Sequence, residues 1–510
     1  MDGADFFAPA PYTLIDGLLA RYDAKRSQIE QVVALFDGDI GGVVHYFIHG
    51  NRDNGGYSSL SAERIFRRDG AIAALNSAFW AEALALTDVY DCMPQARRDE
   101  WNKQITDMTA PEFEADTVRA TLESLLLSRE TFFAERIDGI FRALSHEHVT
   151  NAPEGFGKRM IVANVLTYYD TVDQRTVGYI NDLRCVIARF MGRDEPRWNN
   201  TGFVINALRK TTGVWHSLDG GAIRVRLYKK GTAHLEVHPD MAWRLNAMLA
   251  HLYPRAIPSA LRTRPIKRPK HFALITTPIP FAVLAVIEAG VFREDDTYLA
   301  FRGEREDKAT FTEALRVLES VGGIPDRFGV RFTYHAAGVV TEIVLSGRVP
   351  DQKTHQFYPS RGQIAADAIA LADIGETSRC CEPSAGQGDL AEHMPQDRTT
   401  CVEVNALFCD VLRAKGFKTI NADFLEWATT APLFDRLVLN PPFSENRASL
   451  HFAAALRLVA PGGRIAAILP ASLAGRDLAP GWDSEWTPVY TDAFAGTSVS
   501  VAIYAASRPA

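Results

Sequence analysis

The segment Asn440-Pro441-Pro442-Phe443 places an amide and an aromatic ring on one stiff turn. It follows the apolar residues 437–439, and its two prolines remove two backbone donors and fix two φ angles, so a strand must end at Asn440. The Asn440 oxygen can accept a hydrogen bond, and Phe443 offers a flat apolar face at a fixed distance from it. This pair suits an amino group attached to a planar ring. Taken alone, the segment is equally compatible with a structural bend that places Phe443 in the core.

A glycine-rich turn lies upstream, in a region where short apolar strands alternate with helical patterns. Residues 379–382 lead into Pro383-Ser384-Ala385-Gly386-Gln387-Gly388, and we expect a helix to begin near Asp389. A glycine turn between a strand and a helix lets a ligand approach the backbone closely and presents amide donors to it. The pattern alone is weak evidence of a binding site, because such turns are common.

Two further strands end in acidic residues. The strand 400–403 ends in Glu403, whose carboxylate can accept from both hydroxyls of a ribose. The strand 418–421 is followed by Asp423, which can accept from an adenine amino group, and by Phe424, which can stack on the ring. Because the carboxyl ends of parallel strands meet at one edge of a sheet, we expect all four strand ends to converge on one crevice.

Residues 355–505 resemble an S-adenosylmethionine-dependent methyltransferase of the N6-adenine DNA type, in the γ motif order. The segments that carry the resemblance are a cofactor motif, a ribose acid, an adenine-binding pair and a catalytic motif: Glu382-Pro383-Ser384-Ala385-Gly386-Gln387-Gly388, Glu403, Asp423-Phe424 and Asn440-Pro441-Pro442-Phe443. The segment His355-Gln356-Phe357-Tyr358-Pro359-Ser360-Arg361 is similar to the one that closes over the methionine part of the cofactor, and Phe494 is similar to an aromatic that helps to hold the target base.

The resemblance implies a Rossmann-like α/β class I methyltransferase domain, S-adenosyl-L-methionine as cofactor and DNA as partner. The cofactor would contact Phe357, Tyr358, Pro359 and Asn440 in addition to the cofactor motif and the acids. The Asn440 oxygen and the Pro441 carbonyl would accept the two N–H bonds of an adenine amino group, and Phe443 would stack on the base once it has left the duplex.

Other substrates fit the same catalytic motif, because it binds any planar amine or amide. An RNA adenine or a protein glutamine is the first alternative, and a non-catalytic DNA-binding or anti-restriction protein is an alternative of another class. The N-terminal region resembles one found fused to such methylases in phage and plasmid proteins. The γ-type family usually places its target-recognition domain after the catalytic domain, but here only a few residues follow the last expected strand. If the chain reads DNA specifically, we therefore expect the reader to lie before residue 355.

The chain has 510 residues, of which 47% are hydrophobic and 23% charged, with a net charge of −7. This length predicts about three folding units. We expect neither a membrane span nor a secretory signal, hence a cytoplasmic protein, because no long apolar run occurs and the first residues lack a basic region. The six cysteines have no metal-ligand spacing, so we predict reduced, mostly buried thiols and no metal site. The oligomeric state is open between monomer and homodimer.

Four regions follow from the patterns. Residues 1–253 are predicted to be mainly helical, with helical stretches at 12–36, 62–86, 111–144 and 174–191 and a β-hairpin at about 222–238. Residues 254–271 are predicted to be an extended basic linker, and residues 351–510 the methyltransferase domain. Between them, residues 272–350 are predicted to be a small α+β unit with a helix at 311–321 and strands at 298–301, 330–334 and 340–345.

Two basic segments are candidates for contact with a DNA backbone. The hairpin carries Arg224, Arg226, Lys229 and Lys230, with both arginines on one face by strand alternation. The linker carries Arg262, Arg264, Lys267 and Arg268 among other basic residues and contains no acid. The alternative for the hairpin is a solvated surface that only keeps the protein soluble.

Overall fold

The computed structural model describes residues 12–37, 42–43, 46, 66–85, 93–145, 148, 150–266, 274–275, 277–293, 295–301, 307–349, 359–360, 362–491, 494 and 499–510. The chain divides into two compact units, one of residues 1–215 and 222–273 and one of residues 216–221 and 274–510. The predicted linker ends at residue 271, close to this division. The segments predicted as a small α+β unit and a methyltransferase domain lie together in the second unit.

The described helices are α1 (Tyr12–Asp37), α2 (Arg68–Ala85), α3 (Gln95–Thr106), α4 (Ala115–Leu127), α5 (Arg129–Arg142), α6 (Gln174–Phe190), α7 (Trp198–Arg209), α8 (Pro239–Leu252), α9 (Phe281–Glu288), α10 (Lys308–Glu319), α11 (Ala337–Ser346), α12 (Gln363–Ala372), α13 (Ala406–Ala414), α14 (Phe424–Trp427) and α15 (Arg447–Leu456). The described strands are β1 (Arg159–Val162), β2 (His216–Leu218), β3 (Ile223–Leu227), β4 (Ala233–Val237), β5 (Val291–Phe292), β6 (Tyr298–Ala300), β7 (Ile324–Pro325), β8 (Gly329–Arg331), β9 (Cys380–Pro383), β10 (Thr399–Glu403), β11 (Lys418–Asn421), β12 (Phe434–Leu439), β13 (Val459–Pro470), β14 (Asp483–Trp486) and β15 (Val501–Ser507).

The predicted helical stretch 111–144 forms two helices. α4 ends at Leu127 and α5 begins at Arg129, with Ser128 between them. The Ser128 hydroxyl donates to the Ser124 carbonyl at 2.8 Å, a local bond of the kind that competes with regular helix geometry. Because the apolar residues stay in phase on both sides of this break, the sequence pattern does not reveal it.

The predicted hairpin is part of an antiparallel sheet in the first unit. β3 pairs with β4, and β4 also pairs with β1, a four-residue strand too short to show alternation in the sequence. Ile223, Val225 and Leu227 are buried on one face of β3. Arg224 and Arg226 occupy the other face, so the predicted alternation is confirmed.

The first part of the basic segment that follows α8, residues 254–262, is folded against that helix, which corrects the prediction of an extended, solvated linker there. Residues Ser259–Arg262 form a 3₁₀ turn, and Ile257 is only 3% exposed. Asn246 on α8 donates to the Leu261 carbonyl at 3.3 Å. Apolar residues inside the segment therefore anchor its first part to α8, and residues 267–273 lie outside the described residues.

The small α+β part of the second unit has the strand order β5-β6-β8-β7, all antiparallel neighbours. The predicted helix at 311–321 is present as α10, and Gly322 follows it with a φ of 88°. The predicted strand at 340–345 is wrong, because these residues belong to α11. Val339, Val340, Ile343 and Val344 are buried at helical spacing, and a short run of β-branched residues does not by itself distinguish a strand from a buried helix.

Glu342 on α11 makes the stability of the second unit depend on pH. Partial burial, helped by the charge of Asp410 on α13 and opposed by Arg348, raises the pKa of Glu342 to about 7. Since the folded-state pKa exceeds the ordinary value of 4.5, the favourable contribution of this group is complete below that value and is lost as the pH rises through 7. We expect Glu342→Gln to resist urea unfolding better than the native protein at about pH 8, by on the order of 2 kcal/mol, and to match it at about pH 4.

The matched control is Glu319→Gln on α10, where the glutamate is exposed. This variant should show the native urea midpoint at both pH values. Equal midpoints for Glu342→Gln and the native protein at the higher pH would contradict the assignment of a half-buried carboxyl with a raised pKa at this position.

The larger sheet of the second unit has the order β11-β10-β9-β12-β13-β15-β14. Strands β9 to β13 are parallel, and β15 is antiparallel to both β13 and β14. The chain order reverses between β9 and β12, which are neighbours although two strands separate them in the sequence. This is the Rossmann-like, doubly wound α/β fold that the alternating strands and helices predict.

Both faces of this sheet are covered. On β12, Leu437 and Leu439 belong to one apolar core and Val438 to another. Alternate side chains point to opposite faces, so an unbroken apolar run is what a strand buried on both sides requires. Cys380, Cys381, Cys401 and Cys409 are buried in this unit and form no disulfide, as predicted. No helix in the described part of the chain is both long and apolar enough to cross a membrane.

Candidate active site

The reversal of strand order between β9 and β12 brings the predicted site segments to one edge of the sheet. The glycine turn follows β9, Glu403 ends β10, Asp423 follows β11 and Asn440 follows β12. Open α/β sheets bind ligands in the crevice at such a reversal. The four strand ends therefore lie at one edge of the sheet, as predicted.

The backbone of the glycine turn adopts left-handed conformations at a serine as well as at two glycines. Ser384, Gly386 and Gly388 have φ values of 58°, 54° and 83°, so the turn needs residues that tolerate left-handed conformations. A Cβ atom on Gly388 would lie 2.7 Å from a methyl of Leu412, which requires glycine there on steric grounds as well. Glu382 is buried below the turn, and its carboxylate accepts from the Ala391 amide at 2.7 Å.

The helix expected near Asp389 is absent. Residues Ala391–His393 and Gln396–Arg398 form two short 3₁₀ turns before β10 begins. Pro395 lies between them and cannot continue a helix through its missing amide hydrogen. The glycine turn thus has no N-terminus of an α-helix behind it, and its Ala385, Gly386 and Gly388 amides donate to the Val402 carbonyl, the Glu403 carboxylate and the Ala385 carbonyl.

Glu403 is held by the glycine turn itself. Its Oε2 accepts from the Gly386 amide at 2.8 Å, and its Oε1 accepts from the Asn405 amide at 2.8 Å. The side chain is 7% exposed, so its orientation is set by the backbone around it.

Asp423 and Phe424 have different environments. Asp423 is exposed and caps α14, with its Oδ1 accepting from the Leu425 amide at 2.8 Å. Phe424 is 3% exposed and packs on Trp427 and His451, with ring centroids 6.3 and 5.4 Å away. The predicted acceptor is accessible, whereas the predicted stacking ring lies in the core and supports the loop from below.

The orientation of the Asn440 amide depends on a residue distant in sequence. Its Nδ2 donates to the Ser360 hydroxyl at 2.9 Å, and Ser360 is 5% exposed. The acceptor Oδ1 consequently lies on the opposite side of the amide. Ser360 belongs to the segment that resembles the one closing over the methionine part of the cofactor. Of the predicted contacts in that segment, Pro359 is described, whereas Phe357 and Tyr358 lie outside the described residues.

The rings of Phe443 and Phe494 are neighbours. Their centroids are 6.2 Å apart and their planes are inclined by 49°. Phe494 is 2% exposed, while Phe443 is partly exposed after the buried Pro441. The structure thus brings together the two aromatics expected to hold a base, with Phe494 behind Phe443.

His451 is a site residue that sequence reasoning missed. It lies on α15, is 5% exposed, and its Nδ1 is 3.0 Å from the Ser384 hydroxyl in the glycine turn. Burial lowers the pKa of His451, and Arg447 lowers it further against the opposing charge of Asp423. A neutral imidazole therefore connects the glycine turn to the helix that follows Phe443. Nothing in the local sequence distinguishes this histidine from a core residue.

The glycine turn is also fastened to the small α+β part of the same unit. Gln387 is 3% exposed, and its Nε2 donates to the Ser320 carbonyl at 2.7 Å. Lys415 donates to the Gln387 carbonyl at 2.7 Å and lies 5.9 Å from the centroid of the Tyr334 ring. The α+β part thus helps to hold the turn that would carry the cofactor.

The basic residues predicted to contact phosphates differ in whether an acidic side chain lies close to them. Arg224 pairs with Glu236 at 3.3 Å, and Arg264 lies 3.9 Å from Asp240. Lys229 and Lys230 are exposed at the hairpin tip. Arg226 stacks on Tyr228, with 5.0 Å between its guanidinium carbon and the ring centroid. Arg262 ends the 3₁₀ turn, while Lys267 and Arg268 lie outside the described residues.

Within the described ranges no three His, Cys, Asp or Glu side chains are arranged to hold a metal ion.

Residues 72–255 match a family described as a domain of unknown function, DUF4942. No curated protein sequence matches the chain. Among solved structures, the chain is similar to the 23S rRNA methyltransferase ErmE, with 19% identity over 30% of this chain and 70% of that chain and a TM-score of 0.26. It is also similar to a precorrin-6y C5,15-methyltransferase from Geobacter metallireducens, with 16% identity over 29% of this chain and 89% of that one and a TM-score of 0.24. An rRNA methylase from Streptococcus thermophilus matches with 9% identity over 29% and 98% of the two chains and a TM-score of 0.24.

Proposed function

We propose that this chain is an S-adenosylmethionine-dependent DNA methyltransferase that modifies the N6 amino group of adenine. The observation that carries the proposal is the Asn440 amide, oriented by Ser360 at the end of β12. It stands at the same sheet edge as Glu403 and the glycine turn, which together fit a nucleoside cofactor. This sheet edge would thus combine a nucleoside site with an acceptor for a planar amino group.

The residues present fit the proposed cofactor by their chemistry. Glu403 supplies carboxylate oxygens at a ribose position, and the exposed Asp423 supplies an acceptor for an adenine amino group. Gly386 and Gly388 in the turn carry no side chain, so a ligand could approach the backbone closely there. When bound, S-adenosylmethionine supplies an electrophilic methyl group on a sulfonium centre.

Catalysis by the chain itself would consist of positioning and electrostatics. The Asn440 Oδ1 and the Pro441 carbonyl would accept hydrogen bonds from the two N–H groups of the target amino group. These bonds would draw the nitrogen lone pair out of conjugation with the ring. Phe443, backed by Phe494, stacks on the extruded base and holds it in line. No covalent intermediate with the enzyme is required.

The assignment to DNA rests on the resemblance of the catalytic and cofactor motifs to the N6-adenine DNA methyltransferases. Exposed lysines on the hairpin of the first unit support a polyanionic substrate. RNA adenine and protein glutamine remain the competing acceptors for the same amide geometry.

Incubation of the chain with methyl-labelled S-adenosylmethionine and unmethylated DNA, RNA or protein tests the proposal. We expect label in DNA, recovered as N6-methyladenine after digestion and mass spectrometry. Label confined to RNA or protein would overturn the DNA assignment while leaving the methyltransferase assignment intact. Absence of label in all three, with cofactor bound, would favour the non-catalytic alternative.

A further inference from the structure

Two neighbouring tyrosines in the first unit are almost fully exposed. Tyr168 and Tyr169 are 97% and 83% exposed, and their rings contact each other edge to face at a centroid distance of 5.6 Å. Large aromatic rings at a turn tip contribute nothing to a core. Exposed aromatic pairs of this kind are typical of binding surfaces rather than of solvated loops.

The turn that carries these rings is well ordered by hydrogen bonds. The Thr167 amide donates to the Thr171 carbonyl at 2.7 Å, and the two threonine hydroxyls are 2.6 Å apart. Arg209 donates to the Asp170 carbonyl from α7. A ligand that stacks on the tyrosines would therefore meet a preformed backbone, which lowers the entropic cost of binding.

The tyrosine turn packs against the basic hairpin tip. The Val165 amide donates to the Gly231 carbonyl at 2.7 Å, and a Cβ atom on Gly231 would lie 2.6 Å from the Leu166 carbonyl oxygen. Gly231 also has a φ of 80°, so glycine is required at this contact for two reasons. The close approach joins the hairpin tip, directly after Lys230, to the segment that leads into the turn carrying the tyrosines.

A surface cavity of about 590 Å³ opens at the hairpin tip, lined by His148, Thr212, Tyr228, Lys229, Lys230 and His234 among others. The Tyr228 and His234 rings are 4.7 Å apart. Burial lowers the pKa of His234, and the charges of Arg159, His148 and Arg226 lower it further. Lys229 and Lys230 line this cavity, and their ammonium groups suit an anion.

We infer that the tyrosine turn and the hairpin cavity together form a binding site for a single nucleic-acid strand. Lys229 and Lys230 neutralise phosphates, and Tyr168 and Tyr169 stack on unpaired bases. Stacking requires bases outside a duplex, because paired bases present only their edges to a protein surface. The inference concerns the first unit and does not depend on which substrate the second unit methylates.

Binding of fluorescein-labelled oligonucleotides of about 20 nucleotides to the full-length chain, followed by anisotropy, tests the inference. Single-stranded DNA, single-stranded RNA and duplex DNA form three arms. We expect single strands to bind more tightly than the duplex, and the DNA and RNA arms show which strand is preferred. Equal or tighter binding of the duplex would overturn the site as inferred.

The tyrosines and lysines should affect different properties of binding. Tyr168→Ala with Tyr169→Ala should weaken single-strand binding at least about tenfold, whereas the double phenylalanine variant should bind like the native chain, because it keeps both rings. Lys229→Ala with Lys230→Ala should reduce the slope of log affinity against log salt by about 1.4, since each phosphate contact on a single strand contributes about 0.7. Lys25→Ala with Lys103→Ala, on α1 and α3, removes the same charge from exposed helix surfaces and should leave the slope unchanged.

An Asn440→Ala chain separates this inference from the proposed function. It should bind the labelled strand with native affinity even though its methyl transfer is lost. Unchanged affinity of the double tyrosine-to-alanine variant, or equal competition by a polyglutamate peptide, would show that the surface is only a nonspecific charged patch and would overturn the inference.

Discussion

Replacement of Asn440 by alanine should lower the rate of methyl transfer at least about a hundredfold and leave the affinity for S-adenosylmethionine nearly unchanged. Loss of one preorganised polar group at the reacting centre costs enzymes this much, because the group acts mainly on the transition state. The Asn440 oxygen is such a group, since Ser360 holds the amide through its nitrogen at 2.9 Å. Single-turnover transfer of labelled methyl to DNA measures the rate, and calorimetry measures cofactor affinity.

Ser360→Ala is the informative companion of this variant. It keeps the acceptor oxygen of Asn440 but removes the hydroxyl that orients it, so we expect a loss of about tenfold, smaller than that of Asn440→Ala. Asn199→Ala, at an exposed position of α7, controls for the substitution itself and should transfer at the native rate. Native turnover by Asn440→Ala would refute the assigned role of the amide.

Replacement of Glu403 by alanine should weaken binding of S-adenosylmethionine by at least about a hundredfold. Each hydrogen bond to a charged group contributes about 1.5–3 kcal/mol, and a ribose diol would make two of them. The substitution also leaves the Gly386 amide without the carboxylate that it contacts at 2.8 Å, so the glycine turn loses an anchor. Titration calorimetry with the cofactor measures the effect directly.

Two further variants separate binding from folding. Glu403→Gln keeps one acceptor oxygen and should bind with intermediate affinity. Glu426→Ala removes an exposed carboxylate from α14 in the same unit and should bind normally. If Glu403→Ala unfolds at the same temperature as the native protein and still binds S-adenosylmethionine with native affinity, the ribose role assigned to this acid is wrong.

The segments at the strand ends could be predicted because their effect is local. Prolines at 441 and 442 end β12 through their own missing amides, and glycines at 386 and 388 permit the left-handed turn through their own missing side chains. The apolar run 437–439 predicts a strand covered on both faces, because successive side chains point to opposite faces and all of them are apolar. Each of these properties belongs to the residues themselves, so the sequence is enough to recognise them.

Three predictions of local structure failed, two because packing opposed local preference and one because of a proline that ends a helix locally. The β-branched run 340–345 is helical because its apolar residues are buried at helical spacing. The basic segment after residue 254 is anchored by Ile257, which charge counting does not weigh. The expected helix near Asp389 gives way to 3₁₀ turns around Pro395. Local propensity is a weak prior, and tertiary contacts decide such segments.

By itself, the sequence determined which chemical groups stand at the ends of the strands and that these groups suit a nucleoside and a planar amine. Only the tertiary structure decided how they are held. Asn440 is oriented by Ser360, 80 positions away, and the glycine turn contacts His451 across 67 positions. The turn is also anchored by Ser320 of the α+β part. A hydrogen bond between distant residues depends on the path of the whole chain, which no local pattern encodes.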